Sequence, residues 1–254
     1  MSKVRHLKSY HYVDEGSGNV IILLHGLFGG LANFEHTIAS LKSSYRVIMP
    51  ILPLYDLTIA ESTVEGMLAY LKGLVEELEL DDFTLLGNSL GGHIALAYCL
   101  QHPEKVNALV LTGSSGLFER AFGETLPKRS DYEYIRTKTE QTFFDSSLAT
   151  KDLVDEVFEI VNDREKALRV VSIAKSAVRQ NLREELQQIS VPVLLIWGKN
   201  DGITPPEVAE EFHKLIPHSE LKWIDRCGHA AMMEHPDIFN ELLEAFLRSL
   251  KQIA

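Results

Sequence analysis

The chain has 254 residues, 45% of them hydrophobic and 24% charged, with a formal net charge of −11. That length suits one large α/β domain with its own core, and the negative balance argues against a nucleic-acid or anionic-membrane partner. No apolar run approaches the ~20 residues that span a bilayer, Met1–His6 opens no signal-peptide stretch, and Cys99 and Cys227 are too few for a disulfide framework, so a cytoplasmic protein acting on a small molecule is expected.

Tyr10 to Val13 reads as an edge strand, ended by the turn formers Asp14-Glu15-Gly16-Ser17-Gly18. Val20-Ile21-Ile22-Leu23-Leu24 is continuous and rich in β-branched residues, as in a strand buried on both faces. His25-Gly26-Leu27-Phe28-Gly29-Gly30 follows, and Phe34, Ile38 and Leu41 predict a helix over 31–42. Tyr45–Met49 reads as a strand stopped by Pro50 and Pro53. Between Thr63 and Leu80, apolar residues at 64, 67, 68, 71, 74, 75 and 78 mark an amphipathic helix. Phe83–Leu86 is a further strand, followed at once by Gly87-Asn88-Ser89-Leu90-Gly91-Gly92 and a helix to Gln101; Val106–Leu111 is the next strand.

The alternation stops after Thr112. Apolar residues then recur at helical spacing, first at Leu153, Val154, Val157, Phe158 and Val161, then at Leu168, Val171, Ile173, Ala174 and Val178. The sheet pattern resumes at Val191–Gly198, with a helix from Pro205, a strand at Leu221–Ile224 and a closing helix at Pro236–Leu250. The expected fold class is α/β: a mostly parallel sheet flanked by helices, with a core at 1–113 and 189–254 and an inserted helical cap at 114–188.

A strand and a helix joined by almost no connector force a sharp turn, and the turn residue is held in a strained conformation that presents its side chain. Here that residue is Ser89. A serine hydroxyl needs a base, and the base needs a group that holds its tautomer. Asp201, in Gly198-Lys199-Asn200-Asp201-Gly202, and His229, in the loop after the last strand, both fall at predicted carboxyl ends of strands, where open α/β sheets bind ligands. Asp225 is a competing acid, but beside Arg226 it reads as a surface charge; His25 reads as a structural hydrogen-bonder and His93 as packed against the sheet. The oxyanion donors expected are the backbone N–H groups of Leu90 and Leu27, with Phe28 the neighbouring alternative. No motif for a metal, dinucleotide or other cofactor is present in the sequence.

Together His25-Gly26, Gly87-Asn88-Ser89-Leu90-Gly91-Gly92, Trp197-Gly198-Lys199-Asn200-Asp201 and Cys227-Gly228-His229 with Glu234-His235-Pro236 resemble the α/β-hydrolase superfamily over nearly the whole chain. The resemblance implies a serine hydrolase with a Ser89–His229–Asp201 triad. The Gly-Asn-Ser-hydrophobe-Gly-Gly form is similar to that of hydrolases cleaving carbon–carbon bonds in aromatic ring-fission products, and small carboxylesterases share most of it. Ring-fission hydrolases commonly carry a tryptophan after the histidine, where this chain has Ala230, and the family's Asp-x-Pro-Gly-x-Gly loop is replaced here by Ile51–Asp56. The expected function is hydrolysis of a small carboxylic ester through an acyl-enzyme. The alternatives are carbon–carbon hydrolysis and a non-catalytic ligand receptor. Arg164, Arg169 and Arg179 are candidate anion partners, and Ala230, Ala231, Met232 and Met233 an adaptable apolar wall near His229.

Overall fold

The computed structural model describes residues 2–118 and 128–250. Residues 119–127 of the expected cap, Met1 and the last four residues lie outside the described residues. The strands are β1 (Val4–Leu7), β2 (Tyr10–Gly16), β3 (Val20–Leu24), β4 (Arg46–Pro50), β5 (Phe83–Asn88), β6 (Val106–Thr112), β7 (Val193–Gly198) and β8 (Ser219–Ile224). Among the described residues they form one sheet in the order β1-β2-β4-β3-β5-β6-β7-β8. β1, β2 and β4 pair antiparallel, and every pairing from β4 to β8 is parallel. The helices are α1 (Glu35–Leu41), α2 (Val64–Glu77), α3 (Leu90–Gln101), α4 (Tyr132–Glu140), α5 (Lys151–Asn162), α6 (Arg164–Arg179), α7 (Pro206–Leu215), α8 (Ala231–Glu234) and α9 (Pro236–Leu250). None among the described residues is long and apolar enough to cross a membrane.

Successive strand residues point to opposite faces, so each central strand feeds two cores. Ile22, Leu24, Leu85 and Leu195 pack with α2, α3 and α7, whereas Ile21, Leu23, Leu86 and Leu194 pack with α1 and α9. Each such side chain, fully buried, contributes about 1.5–3 kcal/mol relative to exposure. α3 is buried all round from Leu90 to Cys99, which is why it carries no amphipathic stripe.

Several sequence expectations are corrected. β2 is not the edge: β1 covers it, with Val4 opposite Val13. β1 has two exposed residues of four, so it offers no apolar run to read. β2 also continues through the first three of the supposed turn formers, Asp14, Glu15 and Gly16, leaving the turn to residues 17–19, because Asp14 sits opposite Ile48 and its carboxylate accepts two hydrogen bonds from Arg46, each at 3.0 Å. The 31–42 helix is a 3-10 turn at Leu31–Phe34 followed by α1. Pro205 is extended (φ −63°, ψ 164°) and caps α7 rather than starting it, as a residue before proline must.

Between β6 and β7 the described residues form α4, α5 and α6 and no strand. Asp131, Thr150 and Asp163 each cap the next helix by accepting a backbone N–H, which fixes where these helices start.

Candidate active site

Ser89 has φ 55° and ψ −120°, a conformation that costs an L-residue of order 1–3 kcal/mol. Its surroundings fix it there. The Ser89 N–H donates to the Thr112 carbonyl at 3.2 Å, and the Ser89 carbonyl accepts from Gly92 N at 3.0 Å and from His93 N and Ser115 N at 3.2 Å each. The Ser115 hydroxyl adds a bond at 3.3 Å. The turn is possible because β3 passes directly beneath α3: a Cβ at residue 91 would overlap the Leu24 carbonyl. Ser89 is thus the N-cap of α3, and Leu90 is the first helical residue, whose N–H has no acceptor within the helix and sits at the positive end of the dipole.

Asp201 follows β7 and is 3% exposed; His229 follows β8 and is 7% exposed. His229 Nδ1 lies 2.9 Å from Asp201 Oδ2. The carboxylate is held on all sides. Oδ1 accepts from Ile203 N at 2.8 Å and Thr204 N at 2.9 Å, and Oδ2 also accepts from the Thr204 hydroxyl at 2.8 Å. That hydroxyl lies 3.3 Å from His229 Nδ1 as well. These donors fix the carboxylate with Oδ2 aimed at one imidazole nitrogen. Trp197 donates its indole N–H to the Thr204 carbonyl at 2.8 Å, anchoring this turn to β7.

The structure brings Ser89, His229, Leu27, Phe28 and Leu90 to one cavity of about 780 Å³. Asp201 stands behind His229, away from the cavity lining. The turn bearing Leu27 and Phe28 is closed by Gly29 N donating to the Gly26 carbonyl at 3.1 Å, and Phe28 has φ 59°. The opposite wall comes from α4, α5 and α6, through Ile135, Leu153, Val157, Val170 and Val178 among others.

The competing residues are placed elsewhere. Asp225 is exposed and pairs with Lys199 at 3.5 Å. His25 Nε2 accepts from Leu52 N at 3.0 Å, so Nδ1 carries the proton and donates to the Gly26 carbonyl at 2.9 Å. Burial lowers its pKa to about 4, against the Gly26 carbonyl. His93 is fully buried and also lowered to about 4 by burial, opposed by Glu65 and the Gln180 backbone. Of the three arginines considered, Arg179 lines the cavity, while Arg169 donates to the Leu57 carbonyl at 2.7 Å and pairs with Glu165. Lys138, Glu156 and Lys175 line it too. Of the expected apolar wall, Ala230 and Met233 face the cavity, while Ala231 and Met232 sit in the core beneath, because α8 turns them inward. The Ile51–Asp56 loop is not part of the lining among the described residues; Leu52 and Leu54 are core residues.

Two side chains at the site make contacts that sequence reasoning misses. Thr204 carried a signal: an aspartate whose side chain caps the N–H groups two and three residues on is a familiar turn pattern. Asn88 is the other. Its amide donates to the Thr112 carbonyl at 3.0 Å and the His229 carbonyl at 3.2 Å, joining the ends of β5 and β6 to the histidine loop. Nothing in the sequence reveals a contact between residues so far apart.

A family model for the alpha/beta hydrolase fold matches residues 19–236. The chain is 31% identical to 2-hydroxy-6-oxononadienedioate/2-hydroxy-6-oxononatrienedioate hydrolase 1 of Pseudomonas putida, over 93% of this chain and 91% of that protein. It is 32% identical to the hydrolase named for the same two compounds in Escherichia coli K12, over 93% and 90%. It is also similar to the crystal structure of MGS-MChE2, an alpha/beta hydrolase enzyme from a sediment metagenome, at 42% identity and a TM-score of 0.81, covering 97% of this chain and 98% of that one. A serine presented on a strained strand-to-helix turn, a parallel sheet in this order and a match over most of the length lead to one assignment: the chain belongs to the alpha/beta hydrolase family and is a hydrolase.

Proposed function

We propose that this hydrolase cleaves carboxylic esters with an apolar acyl or alkyl group through an acyl-enzyme on Ser89. Ser89 Oγ attacks the ester carbonyl carbon while His229 takes its proton, and Asp201 holds the imidazole in the tautomer with Nδ1 protonated. The Leu27 and Leu90 N–H groups, with Phe28 as the alternative for the former, stabilise the oxyanion. Collapse of the tetrahedral intermediate breaks the C–O bond, and His229 returns the proton to the departing alcohol. Water, deprotonated by His229, then attacks the acyl carbon and frees Ser89. The 114–188 segment serves as a cap that shields these steps from bulk water.

The observation that carries the ester reading is the engagement of Asn88. Its amide is already bonded to two main-chain carbonyls, and Ala230 offers only a methyl beside His229, so neither supplies a polar group to hold a substrate acid at the reacting end of the cavity. Ester cleavage needs no such group. Carbon–carbon cleavage needs the substrate dienol converted to a ketone first, with its acid group held in one orientation. That second reading is favoured by the names of the relatives and by Lys138, Lys175 and Arg179 in the cavity wall.

The test is a paired assay of p-nitrophenyl esters and a ring-fission dienoate with one enzyme preparation in one buffer. The ester reading expects turnover of the esters and none of the dienoate. A dienoate kcat/KM well above that of the best ester overturns it in favour of carbon–carbon hydrolysis.

A further inference from the structure

His229 is flanked by a contact that the catalytic reading does not use. The carboxylate of Glu234, on α8, accepts Gly228 N at 2.7 Å on one oxygen and Phe144 N at 2.8 Å on the other. Gly228 precedes His229; Phe144 belongs to the segment after α4. The same two segments are joined a second time by His229 N donating to the Thr142 carbonyl at 2.8 Å. Their approach is close: a Cβ at residue 228 would stand 2.6 Å from the Thr142 carbonyl and 2.9 Å from Phe144 N, so the position needs glycine. The Arg226 guanidinium lies over the Phe144 ring at 5.4 Å. Thr142 and Phe143, between these anchors, line the substrate cavity.

We propose that Glu234 is a positioning residue for His229: its carboxylate clasps the histidine loop to the 142–144 segment, so that the base and one wall of the cavity are set as a unit. This rests on His229 being the base. An ionised carboxylate binds two main-chain N–H groups about twice as strongly as a neutral acceptor does. A glutamine at 234 offers one oxygen and turns an NH₂ toward the other donor, so one side of the clasp is lost and replaced by a repulsive contact. Loosening the loop displaces the imidazole from both Ser89 and Asp201, and displacements near 1 Å cost roughly 10²-fold in rate.

The experiment measures the rate at which a fluorophosphonate modifies Ser89, across pH, in the wild type and in Glu234→Gln. This readout depends on serine activation and needs no knowledge of the natural substrate. Ester kcat and KM are measured per labelled site alongside. The expected result is a phosphonylation rate and kcat lower by about tenfold to 10²-fold, with KM within about threefold. The acidic limb should move to lower pH, because a His229 displaced from Asp201 loses support for its charged form. A purely structural role would lower the melting temperature and the fraction that labels, but not the rate or the pH limb of the fraction that does. Wild-type rate and limb in folded Glu234→Gln overturn the clasp alone. A wild-type chain that does not label at Ser89 overturns the catalytic reading and the clasp with it. If Glu234→Gln does not fold, Glu234→Asp, which reaches one of the two N–H groups but not both, is judged by the same rate and limb.

Discussion

In the proposed mechanism, Asp201→Asn separates orientation of the base from the fold of its turn. In the wild type, Oδ1 accepts the N–H groups of Ile203 and Thr204, while Oδ2 accepts the Thr204 hydroxyl and faces His229 Nδ1 at 2.9 Å. An asparagine that keeps its oxygen at the Oδ1 position retains both main-chain bonds. Its NH₂ then occupies the Oδ2 position. The Thr204 hydroxyl can rotate and accept, but His229 Nδ1 must also become an acceptor, which moves the imidazole proton to Nε2 and leaves no lone pair there to take the Ser89 proton. Loss of the correct tautomer in a serine triad costs about 10⁴-fold in kcat, equivalent to about 5.5 kcal/mol in the barrier. The turn keeps all four contacts but as neutral hydrogen bonds, a stability cost of about 1 kcal/mol or more. The assay is kcat on a p-nitrophenyl ester, with thermal unfolding as the control for folding. A folded Asp201→Asn enzyme within tenfold of wild-type kcat would refute the assignment of Asp201 as the orienting acid.

Thr204→Val removes the hydroxyl bonded to Asp201 at near-constant volume and is expected to lower kcat by about tenfold, with Thr204→Ser restoring most of it; equal kcat in all three contradicts a role for the hydroxyl. Stability should fall in mild acid because His25 and His93 are buried neutral with pKa values lowered from 6.5 to about 4. Above 6.5 neither state binds the proton; between 6.5 and about 4 the unfolded chain takes it first, so each group removes up to about 3 kcal/mol as pH falls through that window. Urea unfolding of wild type and His93→Leu at pH 7 and pH 4.5 checks this, and the variant should lose less stability between the two; identical losses contradict it.

The sheet and the elbow are legible in the sequence because their signals are local. Val20–Leu24 is a buried run that forms β3, and Gly87–Gly92 joins a strand to a helix with no room for anything but a turn. The same holds for the carboxyl ends of β7 and β8, which bring Asp201 and His229 to within one hydrogen bond across 28 residues. What was not legible depends on long-range pairing. β1 exists because it finds the edge of β2, not because Val4–Leu7 favours a strand, and Asp14 stays in β2 because the Arg46 guanidinium on the neighbouring strand bonds its carboxylate. α8 is four residues long, too short for periodicity, and yet it decides that Met233 faces the cavity and Met232 the core. Glu234 and Asn88 act on main-chain groups far away in the sequence, a kind of contact that leaves no pattern along the chain.

The central claim is that Ser89 is the nucleophile, and the most direct measurement is covalent capture. The protein is treated with a fluorophosphonate, digested and sequenced by mass spectrometry, with Ser89→Ala in parallel. The account predicts one modified site, Ser89 in the peptide spanning Gly87–Gly92, no label in the folded Ser89→Ala protein, and a loss of at least ~10³-fold in ester kcat for that variant. Undiminished labelling at another residue, or ester turnover near the wild-type rate by folded Ser89→Ala, would contradict it.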